Sequence, residues 1–196
     1  MKLVLASKNA HKLVEMRDIL SQLGVEVVLE SEVGVDVDVE ETGATFEENA
    51  FLKARAVMEA SGLPAIADDS GLCVDALNGA PGVYSARYGG PGLDDVGRYR
   101  LLLENMRGQL DRRCRFVSAI CCCFPNGDRV DSRCECPGSF AYAPKGEYGF
   151  CYDPIFFVPA LKKTFAELSP AEKNAISHRG NALTAFREKL EQYLNK

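Results

Sequence analysis

Two pairs of adjacent carboxylates, Glu40-Glu41 and Asp68-Asp69, are the residues of this chain best placed to do chemistry. The second pair ends the apolar run Ala65-Ile66-Ala67 and is followed at once by Ser70-Gly71. That is the pattern of a buried strand delivering side chains to a site at its end. A carboxylate closing an apolar strand usually has a partner, because burying an unpaired charge is costly. Taken alone, Glu40-Glu41 reads instead as solvated loop charge within the acidic stretch 36–41. Near the N-terminus a second apolar run, Leu3-Val4-Leu5-Ala6, passes into Ser7-Lys8-Asn9-Ala10-His11-Lys12. Where a strand turns into a helix, open backbone N–H groups and the helix dipole favour an anion, and Lys12 adds a point charge. Ser7 or Asn9 also reads as a simple helix cap, a role compatible with anion binding. Clustered carboxylates hold a hard cation such as Mg²⁺ and helix-start donors hold phosphate, so one chain with both points to a polyphosphate substrate.

The bulk properties narrow the field. With 196 residues and 46% apolar composition, the chain can bury a good core as one domain spanning residues 1–196. A net charge of −5 argues against broad, sequence-blind binding to nucleic acid or anionic membranes. No apolar stretch approaches the roughly 20 residues that span a bilayer, and the opening run is too short for a signal peptide. The cytoplasm is the expected location. Eight cysteines invite a zinc, redox or disulfide reading. Paired Cys-x-x-Cys or Cys/His spacings are absent, and Cys121-Cys122-Cys123 must alternate between strand faces. In residues 129–136 the charged side chains fall on one face, with Val130, Ser132, Cys134 and Cys136 on the other. Buried reduced thiols are the better account.

The elements that must position these residues alternate. Strands are expected at 2–6, 25–29 and 65–67, with helices at 11–23 and 46–60 between them. Leu13, Met16, Ile19, Leu20 and Leu23 form one helical stripe; Phe46, Ala50, Ala54, Val57 and Met58 form another. Thr45 and Glu48 fit a capping box at the second helix. Loops follow at 79–82 and 89–92, with a short strand or turn at 83–88 and a helix at 95–106. Residues 114–124 and 129–136 read as a hairpin turned at Pro125-Asn126-Gly127-Asp128, 154–158 as a last strand, and 180–194 as a terminal helix. The architecture is therefore α/β, a mixed central sheet flanked by helices.

Six segments occur together: residues 7–12; Glu40-Glu41-Thr42-Gly43-Ala44-Thr45-Phe46 with Glu48-Asn49-Ala50; Asp68-Asp69-Ser70-Gly71-Leu72; residues 79–88; Gly149-Phe150-Cys151-Tyr152-Asp153-Pro154; and Ser177-His178-Arg179-Gly180. In order and spacing they resemble the inosine triphosphate pyrophosphatase family, also called XTP/dITP diphosphatases. Any one segment is weak; six in register, across nearly the whole chain, are specific.

The resemblance implies two lobes with a substrate cleft between them, and hydrolysis of dITP, ITP, XTP or dXTP to a monophosphate and pyrophosphate. It implies Mg²⁺ as cofactor, a homodimer, and a nucleoside triphosphate as the partner. Glu40 and Asp69 become the metal-side carboxylates, with Asp69 also the base for the attacking water and Glu41 and Asp68 beside them. Ser7, Lys8, Asn9, Ala10, His11, Lys12 and Ser70 become substrate contacts. So do Phe150, Cys151, Tyr152, Asp153, Lys173, His178 and Arg179, the last two near the base, with an aromatic ring for it to stack on. For Phe150 and Tyr152 singly, core packing is an equal reading. Cys151 departs from the family, which has glycine between the two aromatics; glycine there permits a positive φ or close approach of backbone to base. Two rivals stand beside this reading: a related pyrophosphatase acting on pyrimidine triphosphates, and a nucleotide-binding module without turnover.

Overall fold

Alternating apolar patterning in the first third of the chain produces parallel strands joined by helices. In the computed structural model every residue but Asn9 is described, and of Ala10 and His11 only the helical backbone. Strand β1 (Lys2–Leu5) leads into helix α1 (Ala10–Leu20), then a 3₁₀ turn and strand β2 (Glu26–Leu29). β1 and β2 pair in parallel, Leu3 opposite Val27 and Leu5 opposite Leu29. Helix α2 (Phe46–Ser61) returns the chain to strand β3 (Ala65–Val74), which is parallel to β1 at Ala65 and Ile66.

The helix signals act much as expected. Thr45 caps α2, its hydroxyl accepting the Glu48 N–H at 3.1 Å, and Gly62 closes the helix in the left-handed region. The capping box differs in one detail: the Glu48 carboxylate accepts the N–H of Ala44 at 2.6 Å, one residue before the cap.

The remaining elements are helix α3 (Asp95–Asn105), strands β4 (Arg113–Cys123), β5 (Arg129–Phe140), β6 (Phe156–Val158) and β7 (Lys163–Thr164), and helices α4 (Pro170–Ile176) and α5 (His178–Leu194). The 125–128 turn joins β4 to β5, with the Phe124 N–H on the Asp128 carbonyl and the Gly127 N–H on the Phe124 carbonyl, both at 3.0 Å. The pairs β5–β6 and β6–β7 are antiparallel. Among the described residues the strands form one sheet in the order β2-β1-β3-β4-β5-β6-β7, so the mixed α/β class read from the sequence holds. Residues 83–88 are neither strand nor plain turn but lie in a 3₁₀ helix, Gly82–Arg87.

The chain divides into two compact units. The first comprises Met1–Asp69, Ser118–Cys134 and Ala182–Lys196; the second comprises Ser70–Val117 and Glu135–Asn181. The first has a core of Leu3, Leu5, Met16, Leu20, Ile66, Ile120, Phe124, Phe186 and Leu190. The second is built on Leu72, Leu102, Phe116, Phe140, Ile155, Phe156 and Phe165. No helix among the described residues is long and apolar enough to cross a membrane. None of the eight cysteines forms a disulfide; Cys134 and Cys151 are half-buried and the others buried.

Candidate active site

In the first unit the carboxylates of β3 meet cations from two helices. Sequence patterning ends this strand at Ala67, but it continues to Val74, so Asp68 and Asp69 lie within it. They nevertheless follow the last residues registered against β1. The polar pair is tolerated in mid-strand because each carboxylate has a partner. Lys12 Nζ stands 2.8 Å from Asp68 Oδ1, with side chains 19% and 1% exposed. Lys53, on α2, reaches Glu41 Oε1 at 2.6 Å and Asp69 Oδ1 at 3.4 Å. Asn49, one turn before it, donates from Nδ2 to Asp69 Oδ2 at 3.1 Å and accepts the Gly43 N–H on Oδ1 at 2.8 Å.

Burial pushes the Asp69 carboxyl above its ordinary value; Lys53 opposes the shift, Glu41 and Asp68 add to it, and the Asn49 hydrogen bond opposes it. Burial pulls Lys53 down, but Asp69, Asp68 and Glu41 overcome it, and the ammonium is held above its usual range. The result is a buried base beside a firmly charged lysine.

Ser7, Lys8, Glu30, Asp38 and Lys53 line a cavity of about 150 Å³ within this unit. Lys8 itself is exposed and paired with Asp36 at 2.7 Å. Burial raises the Glu30 carboxyl, which Lys8 opposes and Asp36 reinforces.

The second unit gathers a different chemistry. Asp153 is a buried hub: its Oδ2 accepts the Phe150 N–H at 2.8 Å and Lys173 Nζ at 2.6 Å. Phe150 is 52% exposed, with Lys173 Nζ 4.6 Å and Arg179 Cζ 5.9 Å from its ring centroid. Arg179 Nη2 donates to Ser70 Oγ at 3.2 Å. His178 is buried and stacks on Phe116, centroids 4.6 Å apart and planes 12° from parallel. His178 and Arg179 do not precede the terminal helix; they form its first turn, where Ser177 Oγ accepts the Gly180 N–H at 3.1 Å. A Cβ on Gly180 would lie 2.0 Å from the Asn174 carbonyl oxygen, which is why this turn needs glycine. An exposed ring flanked by cations, with Ser, Arg and His donors on the same unit, suits a planar, oxygen-bearing aromatic.

These geometries can be set beside known proteins. Residues 3–189 match the Ham1 family. This chain belongs to that family. The dITP/XTP pyrophosphatase of Haemophilus influenzae is 50% identical over 193 residues, 96% of this chain and 98% of its own. That of an Exiguobacterium species is 45% identical over 194 residues, 99% of each. The solved Staphylococcus aureus Ham1 protein superposes with a TM-score of 0.92 at 44% identity, covering 98% of this chain and 100% of that one. A Coxiella burnetii HAM1 protein gives 0.91 at 44% identity, covering 100% and 98%. The resemblance carried by the six motifs is therefore correct at the level of family, and the sheet is that of Ham1 proteins.

Within this Ham1 chain the expected site residues have separate fates. Lys12, Asp68 and Asp69 come together in the first unit; Ser70, Phe150, Asp153, Lys173 and Arg179 come together in the second. Asn9 lies outside the described residues, as do the side chains of Ala10 and His11. Glu40 is exposed, while its neighbour Glu41 faces Lys53. Tyr152 is 1% exposed and donates its hydroxyl to the Ser85 carbonyl at 2.8 Å, so of the two aromatics it is the core residue and Phe150 the open ring. Cys151 takes φ +54°, in the left-handed region that favours glycine. Its N–H is held by Asp95 Oδ2 at 3.1 Å, and burial pushes its thiol up to about 12.

Sequence reasoning passed over Lys53 and quoted Asn49 within a motif without giving it a role. A signal existed: both lie on the α2 face that also carries Ala50, Ala54 and Val57, and polar residues in an apolar stripe need partners.

Proposed function

We propose that this chain hydrolyses non-standard purine nucleoside triphosphates, dITP and ITP or XTP and dXTP, to the nucleoside monophosphate and pyrophosphate. The observation that carries the reading is Asp69, a carboxylate raised by burial and fixed between Lys53 and Asn49, in a chain up to 50% identical to proteins named dITP/XTP pyrophosphatase. A base whose proton affinity lies nearer the working pH is the better proton acceptor. In this reading Asp69 takes a proton from the attacking water, whose oxygen joins the α-phosphorus as the bond to the β-phosphate oxygen breaks. Lys12 and Lys53, with Ser7 and Lys8, offset the phosphate charge. Arg179, His178, Lys173 and Ser70 serve the base and sugar end, with Phe150 as the stacking face.

Magnesium fits the donor set. Among the described residues no three His, Cys, Asp or Glu side chains group as a metal cage. Mg²⁺ asks for less, one or two carboxylates with substrate phosphates completing its shell. The family resemblance assigns Glu40 and Asp69; the geometry favours Glu41 as the carboxylate beside Asp69, since both face the Lys53 ammonium. When bound, the ion neutralises phosphate charge. We further propose that residues 1–196 work as one domain, in the cytoplasm and as a homodimer.

Selectivity follows from the purine C6 edge. Hypoxanthine and xanthine present an oxygen there and adenine an amino group, so donors such as Arg179 and His178 would face another donor in ATP. A buried mismatch of that kind discriminates by roughly 10⁴-fold. Incubation with dITP, ITP, XTP, GTP and ATP plus Mg²⁺, scored for pyrophosphate and orthophosphate, is expected to release pyrophosphate from the first three with little turnover of ATP. A nucleoside diphosphate with orthophosphate would mean attack at the γ-phosphorus and overturn the assignment. Cys151→Gly is expected to keep turnover while changing the ratio of KM values for dITP and GTP. Kinetics equal to the parent for every nucleotide would remove Cys151 from base selection.

A further inference from the structure

Asn49 is fully buried, at 0% exposure, on an α2 face whose other buried side chains, Phe46, Ala50, Ala54 and Val57, are apolar. Its carboxamide joins two things the proposed chemistry needs, accepting the Gly43 N–H on Oδ1 and donating from Nδ2 to Asp69 Oδ2. The orientation is forced, because turning the amide end over end would set donor against donor and oxygen against carboxylate. An amide alone fits at this length: aspartate lacks the donor, and leucine of similar size lacks both groups.

The same helix pins the acidic loop at two further points. Glu48 Oε2 accepts the Ala44 N–H at 2.6 Å, and Lys53 holds Glu41 at 2.6 Å. Gly43 answers to this clamp, since a Cβ there would lie 2.7 Å from both Asn49 Oδ1 and Glu48 Cβ. Asparagine is also a poorer helix former than leucine, so local helix stability gives no reason for its presence.

We propose that Asn49 is a positioning residue for the hydrolysis: it fixes the acidic loop against β3 and orients the Asp69 carboxylate, leaving Oδ1 toward Lys53. This rests on the pyrophosphatase reading above. A carboxylate misplaced by about 1 Å is enough to cost about 10²-fold in rate.

The test uses the full-length chain with dITP and Mg²⁺, in the parent, Asn49→Leu and Asn49→Asp. Turnover is read alongside hydrogen exchange of the Gly43 amide and the thermal midpoint. Asn49→Leu is expected to lose Gly43 protection and about 10²-fold in kcat, with KM within threefold of the parent. Asn49→Asp keeps the acceptor and loses the donor, so Gly43 stays protected while kcat still falls more than tenfold. A merely structural residue would lower the thermal midpoint and leave kcat of the folded protein alone. The proposal is overturned if either folded variant keeps kcat within threefold, or if the loss lies wholly in KM. Should Asn49→Leu not fold, Asn49→Ser replaces it under the same thresholds. A parent that releases no pyrophosphate from dITP overturns the function itself; an active parent with unaffected variants overturns only the role of Asn49.

Discussion

Asp69→Asn is expected to lower kcat for dITP by about 10³-fold, the scale of a missing general base, and to raise the thermal midpoint at neutral pH. The two effects share one cause. Asp69 is 8% exposed, and burial raises its proton affinity in the fold despite Lys53 and Asn49. A carboxyl raised in this way adds its stability while protonated, below the ordinary value of 3.8, and loses it as pH rises through the raised value. At neutral pH the parent carries the cost of that ionised group and the asparagine variant does not. The gap between the two melting curves should therefore widen as the pH climbs above the ordinary value of 3.8 and level off once it has passed the raised one. Scanning calorimetry across that range checks the sign. A variant less stable than the parent at pH 8 would show that the ionised carboxylate carries no net cost in the fold, and one keeping near-full turnover would show that Asp69 is not the base.

Lys12→Met is the second large effect, and it acts mainly on the fold. It removes the ammonium 2.8 Å from Asp68, whose side chain is 1% exposed. Breaking a buried pair by deleting one partner costs about 3 kcal/mol, because a desolvated charge is left behind. For a chain of this size that lowers the thermal midpoint by roughly 6–12 °C. Asp68→Asn in the same chain is expected to restore most of the stability, as the buried charge that Lys12 offset is gone. Activity is expected to stay low in the double variant, since the proposed phosphate contact of Lys12 has not returned. Equal melting points for the parent and Lys12→Met would show that the pair is not coupled to folding.

Periodicity made the first three strands, their helices and the hairpin readable from the chain, because each buries a regular apolar face. It stopped β3 too early: Asp68, Asp69 and Ser70 look like a strand end until Lys12 and Lys53 are known to offset the charge. Strand β7 has two residues, Lys163 and Thr164, too few to make a pattern. Motif spacing identified the family and most of the residues gathered in each unit. It could not decide between Glu40 and Glu41, or between Phe150 and Tyr152. Neighbours in sequence differ there only by which way each side chain turns. Lys53 and the role of Asn49 escaped because helix patterning weighs apolar positions and passes over polar ones among them.

The sulfur content has a practical side. Alkylating reagents and peroxides attack the thiolate, and burial pushes Cys136 up to about 11 and Cys114 and Cys151 up to about 12. Each of these three stays a neutral thiol at working pH. In the native state maleimide or iodoacetamide should label them sparingly, and prompt labelling at these three positions would serve as a quick alarm for an unfolded preparation.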